Sequence, residues 1–248
     1  MGIAMLSGCG LKTQSGEVNS VNEGIVENAN EPSVALIYLP NGKGICSGVV
    51  VGLKALLTAA HCVKGLSGRF EARTKKGRFS TYSDSIHYRN YANAGTVDDV
   101  GDIAMMIFDQ TIAEPEHVTP IGSNVKMGSR VKMAGYGCDD IVTRQGSGVL
   151  RSLTTKLSDT DRDGFLAISE NFKNATRTVT GGGTCFGDSG GPLWQQNPDG
   201  EWMLVGDVHA GGQEGNQQIS YFTNLIKSSN YNYLQDLNDT HNLGMRFM

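Results

Sequence analysis

The sequence predicts an all-β protein built in two halves, on three observations. Its 33 glycines in 248 residues follow no Gly-x-y period, so they mark many turns. Short apolar runs alternate with clusters of Gly, Asn and Asp. Helical periodicity stays weak until residues 231–237, where one short C-terminal helix is expected. Strands are expected at 33–39, at 47–57 around Gly48-Val49-Val50-Val51-Gly52, at 103–108, 130–134, 148–157 and 202–208. Met105-Met106 continues an apolar run and reads as core. The stretch 113–125, with Pro115, Pro120 and Gly122, is the best internal linker. The expected organisation is a tether over 1–24, a first half over 25–122 and a second over 123–248 with the helix at its end.

Composition narrows the function. With 21 basic and 25 acidic residues the net charge is −4, which offers no basic face for a nucleic acid. No run of about 18 apolar residues is present to span a membrane as a helix. The five cysteines, Cys9, Cys46, Cys62, Cys138 and Cys185, contain no C-x-x-C, the usual start of a structural zinc site. Four plus one suggests an exported protein with two disulfides and one cysteine of different purpose. Leu6-Ser7-Gly8-Cys9 resembles the lipobox of bacterial lipoproteins, which implies a lipid on Cys9 and membrane attachment through it. Residues 12–30 are polar and read as a tether or propeptide.

Three local motifs carry chemistry. They are Leu57-Thr58-Ala59-Ala60-His61-Cys62, then Gly101-Asp102-Ile103-Ala104, then Gly187-Asp188-Ser189-Gly190-Gly191-Pro192. A hydroxyl is a poor nucleophile at neutral pH. It needs a base to take its proton and a third group to orient that base. Ser189, His61 and Asp102 fit those roles, with the N–H groups of Gly187 and Ser189 as an oxyanion hole.

Together and in this order, the motifs resemble the trypsin/chymotrypsin family of serine proteases over residues 25–239. The resemblance implies a chymotrypsin-like fold of two six-stranded antiparallel β-barrels with the site between them. It implies a serine endopeptidase acting on protein or peptide substrates through an acyl-enzyme, expected to be a monomer. It also implies a Cys46–Cys62 bridge, closing a loop of about 16 residues at roughly 3 kcal/mol of loop entropy. Gly135-Tyr136-Gly137 resembles the family's Gly-Trp-Gly turn beside the oxyanion loop, which implies a second bridge, Cys138–Cys185. Asp188 implies an ammonium partner, released by cleavage before Ile25 in Gly24-Ile25-Val26. Other readings are a zymogen-like or non-proteolytic calcium-stabilised binding lipoprotein on the same fold, and an esterase.

The specificity pocket implied by the family is less determined. Its base falls at Gly183, where no acid is present, although Glu214 or Asp207 could supply one from elsewhere. His209, two residues before Gly211-Gly212, resembles the glutamate-specific branch, in which a pocket His and a hydroxyl at Thr184 hold a substrate carboxylate. Counted from Gly206, however, His209 faces the catalytic Asp. Counted back from Gly211, it faces the pocket. A one-residue slip in a strand exchanges those outcomes, so acidic, small or neutral, and basic residues before the cut all remain open.

Finally, Asp159, Asp161, Asp163, Gly164 and Glu170 complete the D-x-D-x-D-G-x5-E pattern of a calcium loop. The side chains of Asp159, Asp161, Asp163 and Glu170 and the Phe165 carbonyl would bind a structural Ca²⁺.

Overall fold

The run around Val49-Val50-Val51 is buried on both faces, and the architecture follows from that. In the computed structural model, which describes residues 25–42, 44–89, 101–139, 144–162, 165–171, 183–215 and 217–248, Val50 packs into one apolar cluster and Val49 and Val51 into another. Leu56 and Leu57, and Met106 and Met105, divide in the same way. Side chains alternate along a strand, so these central strands separate the core of the first half from the interface between halves. A third cluster, including Val131, Leu166, Leu193 and Phe222, fills the second half.

The first sheet has seven strands. They are β2 (Val34–Tyr38), β3 (Ile45–Gly52), β4 (Ala55–Thr58), β5 (Arg69–Arg73), β6 (Arg78–Tyr82), β7 (Ile86–Tyr88) and β8 (Ala104–Ile107). Their order is β6-β5-β2-β3-β4-β8-β7. The second sheet has eight: β1 (Ile25–Glu27), β9 (Arg130–Gly135), β10 (Arg151–Lys156), β11 (Asp159–Arg162), β12 (Phe165–Asn171), β13 (Pro192–Gln196), β14 (Trp202–Glu214) and β15 (Gln217–Asn224). Their order is β1-β10-β9-β13-β14-β15-β12-β11, and the paired strands of both sheets run antiparallel. Each sheet forms a barrel-like half, and the fold is chymotrypsin-like. The helix α1 (Ser228–His241) covers the interface with Leu234 and Leu237.

Three expectations change. The strand expected over 47–57 is a hairpin, because Gly52 pairs with Ala55 and the chain turns through Leu53-Lys54. A Cβ on Gly52 would run into the Leu243 carbonyl, so the turn fits closely under the C-terminal segment. Among the described residues the sheets have seven and eight strands, where six and six were expected. Ile25, assigned to the first half, begins β1 and pairs with Leu153 of β10 in the second sheet.

Candidate active site

Each member of the His–Asp–Ser set sits just outside a strand of this frame. His61 lies on a single 3-10 turn, Ala60–Cys62, directly after β4. Cys62 is bonded to Cys46 on β3, which anchors that turn. Asp102 lies two residues before β8 and is fully buried. Ser189 lies in the turn that leads into β13.

Asp102 is saturated with donors. Its Oδ1 accepts the His61 backbone N–H at 2.8 Å. Its Oδ2 lies 2.6 Å from His61 Nδ1 and 2.6 Å from His209 Nδ1. Burial alone would push this carboxyl up. The N–H groups of His209 and His61, with their charge, outweigh burial and hold it down at about 2. With Nδ1 of His61 committed to a carboxylate, its Nε2 is left as the basic nitrogen.

Ser47 joins the pieces, and sequence reasoning missed it. Its N–H donates to the Ser189 carbonyl at 2.9 Å. Its hydroxyl donates to the Gly187 carbonyl at 2.8 Å and accepts the Tyr136 N–H at 2.9 Å. Its carbonyl accepts the Thr58 hydroxyl at 2.7 Å. A fully buried serine in an otherwise apolar strand is the signal that could have found it. The Ser189 carbonyl also lies 3.8 Å from Cys62 Sγ, so the backbone of Ser189 abuts the turn that carries His61. Gly187 has φ of +103°, which favours glycine, and its carbonyl is the one held by Ser47.

The second expected bridge, Cys138–Cys185, is formed. It ties the end of β9 to the loop before Ser189. Asp188 turns inward there, accepting the N–H groups of Gly137 at 2.7 Å and Cys185 at 2.9 Å. Burial pushes its carboxyl up to about 6, against those two donors and the charge of Arg151. Ile25 in this uncut chain is paired within β1 and β10.

The pocket residues separate. A bulge in β14 shifts the register between Val208 and Ala210, leaving His209 as the extra residue. A bulge re-aims its side chain, and His209 turns to Asp102. Placement of His209 beside Thr184 is therefore corrected. Beyond the bulge Gly211 faces Thr184, since a Cβ there would lie 2.9 Å from Thr184 Oγ1. The count from Gly206 thus gives the side of His209, and the count back from Gly211 does not. Thr184 is buried, with its hydroxyl 3.2 Å from Ser220 Oγ and 3.4 Å from the Ala210 carbonyl. Gln218 donates to the Thr184 carbonyl at 3.2 Å, and its amide covers Gly183, where a Cβ would collide with it. Neither acid named from the sequence serves the pocket. Asp207 is fully buried under the charge of Asp102. Glu214 accepts from Arg162 and from the Tyr221 hydroxyl.

The segment of the calcium pattern is described in part. Asp159 pairs with Ala167 and Arg162 with Phe165, so the segment is a β-hairpin. Glu170 stands three residues beyond Ala167, about 10 Å along the strand, and accepts the Thr155 hydroxyl at 2.9 Å. Asp159 Oδ1 accepts the Asp161 N–H. The Phe165 ring stacks on His209. Asp163 and Gly164 lie outside the described residues, as does Cys9. Among the described residues, His61, Asp102 and His209 are the one group of such side chains close enough together for a metal.

Known proteins agree with this architecture. Human transmembrane protease serine 7 is 28% identical over 70% of this chain, which spans 23% of that protein's length. The alkaline B trypsin of Manduca sexta is 28% identical over 79% of the chain and 84% of its own. Among solved structures, human heparin binding protein superposes with a TM-score of 0.62 at 17% identity, over 88% of this chain and 95% of that one. The family model described as trypsin matches residues 21–234, and with that match the chain belongs to the trypsin family of serine proteases.

Proposed function

We propose that this chain is a serine endopeptidase that uses Ser189, His61 and Asp102. The observation that carries the reading is the buried Asp102 carboxylate, which holds the Nδ1 side of His61. His61 Nε2 takes the Ser189 proton as Oγ attacks the substrate carbonyl. The same proton passes to the leaving amine, and water then hydrolyses the acyl-enzyme. The N–H groups of Gly187 and Ser189 form the oxyanion hole, a role supported by the fixed, positive-φ backbone at Gly187.

The residue before the scissile bond is small or neutral. Support comes from Gln218 over Gly183 and from the uncharged pair Thr184 and Ser220 at the pocket base. An acidic side chain would lack the imidazole that is bound to Asp102 instead. Cleavage before Ile25 remains part of the proposal, because a carboxyl raised to about 6 at Asp188 is short of positive charge that a new ammonium would supply. Export is supported by the two disulfides. Attachment through Cys9 rests on the lipobox resemblance alone. Among the described residues no helix is long and apolar enough to cross a membrane.

The test is digestion of an unbiased peptide library by the chain, by the chain begun at Ile25, and by Ser189→Ala. Cuts after small or neutral residues, lost in Ser189→Ala, are expected. Cuts confined to sites after Glu or Asp, or after Lys or Arg, would overturn the pocket reading. No cuts and no labelling by a serine-reactive probe, from either start, would overturn the enzyme.

A further inference from the structure

The mechanism above uses His61 and Asp102 and gives His209 no task, yet both imidazoles address one oxygen. His61 Nδ1 and His209 Nδ1 each lie 2.6 Å from Asp102 Oδ2. An ionised carboxylate can only accept, so both rings donate through Nδ1–H. His209 is held in that pose independently of Asp102. The bulge of β14 aims it, and its ring stacks on Phe165 with centroids 4.5 Å apart and planes 10° apart. Its side chain is 11% exposed. Such a donor is already oriented before any substrate arrives.

We propose that His209 is a positioning residue of the hydrolytic site, a second imidazole that clamps Asp102 Oδ2 and shares its negative charge with His61. Two consequences follow from the geometry. The clamp fixes the carboxylate that in turn orients His61, so its loss should lower turnover more than substrate binding. It also divides the charge of one oxygen between two donors. Removing one donor therefore changes how far Asp102 supports a positive charge on the other ring. Among the described residues the ionisable groups around His209 are Asp102, His61 with ring centroids 6.1 Å away, Asp207 two residues earlier on the same strand, and Tyr221, whose ring meets Phe165 edge-on with centroids 6.4 Å apart. Burial and the charge of Asp102 push Asp207 well above its ordinary value, and both rings bond to Asp102, so Asp102 is the anion that they share.

The inference rests on the protease reading, and two variants separate its parts. His209→Phe keeps a flat ring against Phe165 and removes the N–H. His209→Asn loses the ring and keeps an amide N–H near the Nδ1 position. For His209→Phe the expected result is a kcat about 10- to 100-fold lower, as for loss of one charge-assisted hydrogen bond, with KM within about twofold. The acid limb of kcat/KM should move up by about half a pH unit or more. His209→Asn should recover kcat to within about threefold of the parent. A residue that only packs would leave the acid limb in place. Wild-type kcat and acid limb in His209→Phe, or a His209→Asn variant no better than His209→Phe, would overturn the proposal.

A second measurement needs no turnover. Proton NMR of Ser189→Ala should show two low-field Nδ1–H signals, both lost when Asp102→Asn is added. A single such signal would overturn the clamp. Two signals from a protein whose parent hydrolyses nothing would sink the protease reading and leave the clamp standing.

Discussion

Asp102 and Asp207 are both 0% exposed, yet the fold treats them oppositely. Asp102, at the mouth between the halves, receives two imidazoles and a backbone N–H, and its carboxyl is held at about 2. Asp207, in mid-strand on β14 between Pro192 of β13 and Thr223 of β15, has oxygens that make no well-formed hydrogen bond among the described residues, with only its own backbone N–H and the Thr223 hydroxyl near enough to favour the charge. Burial, and then the charge of Asp102, push it well above its ordinary value. The difference teaches that burial alone does not decide the state of a carboxyl. Burial sets the cost of ionisation, and the donors within reach decide whether that cost is met.

The largest effect should come from breaking the first half of this contrast. Asp102→Asn presents an amide where the two imidazoles need an anion, and kcat should fall by about 10⁴-fold through the wrong His61 tautomer. Activity within about tenfold of the parent would mean that Asp102 does not orient the base. The sign for stability follows from the depressed carboxyl: its contribution is present above the ordinary 3.8 and is lost as pH falls through about 2. Acid unfolding of the parent should therefore steepen below about pH 4, and that extra slope should be absent in Asp102→Asn.

Asp207→Asn should do the reverse. A raised carboxyl stabilises the fold below the ordinary 3.8, and that stability is lost as pH rises toward the folded value. The amide that replaces the carboxyl has no proton to retain, so the variant should gain on the parent by about 1.4 kcal/mol per pH unit above pH ~4. The gain should continue until the parent's Asp207 ionises. Urea melts at about pH 4 and about pH 7 measure this. A variant less stable than the parent at neutral pH, with no pH-dependent gain, would mean that Asp207 is ionised and paired in the fold.

The same contrast explains what could be read from the sequence. The His–Asp–Ser set was legible because its motifs are local, each residue being placed by neighbours within a few positions, and both disulfides followed from the family resemblance that those motifs carry. The burial of Met105 and Met106 was legible because they continue an apolar run. The strands β5 and β6 were missed, although Phe70 and Ala72 alternate with Arg69, Glu71 and Arg73 in the period of a half-buried strand. His209 was undecided because one bulge, invisible in the residue string, chooses its side. The calcium pattern specifies residue types and spacing only, and says nothing of the strand pairing that sets Glu170 three residues beyond the partner of Asp159. Asp207 was visible as a charge inside an apolar run, but its neighbour Asp102 lies 105 positions away in the chain.

The smallest effect tests whether the two carboxyls sense one another. Asp207 is raised by two causes, its own burial and the charge of Asp102. Removing the charge leaves the burial. In an Asp102→Asn background Asp207 should ionise at lower pH than in the parent, so its neutral form is retained over a narrower range. The gain from Asp207→Asn should then level off sooner, and near neutral pH it should be smaller by about 1 kcal/mol, the coupling of neighbouring sites. Four urea melts at matched pH, of parent, both single variants and the double, give that difference directly. A zero coupling would mean that Asp207 is neutral for want of donors alone, and that the carboxylate clamped by His61 and His209 is screened by them from everything behind it. A coupling near ~1 kcal/mol would mean that the anion needed for catalysis also dictates the protonation of the strand beneath it.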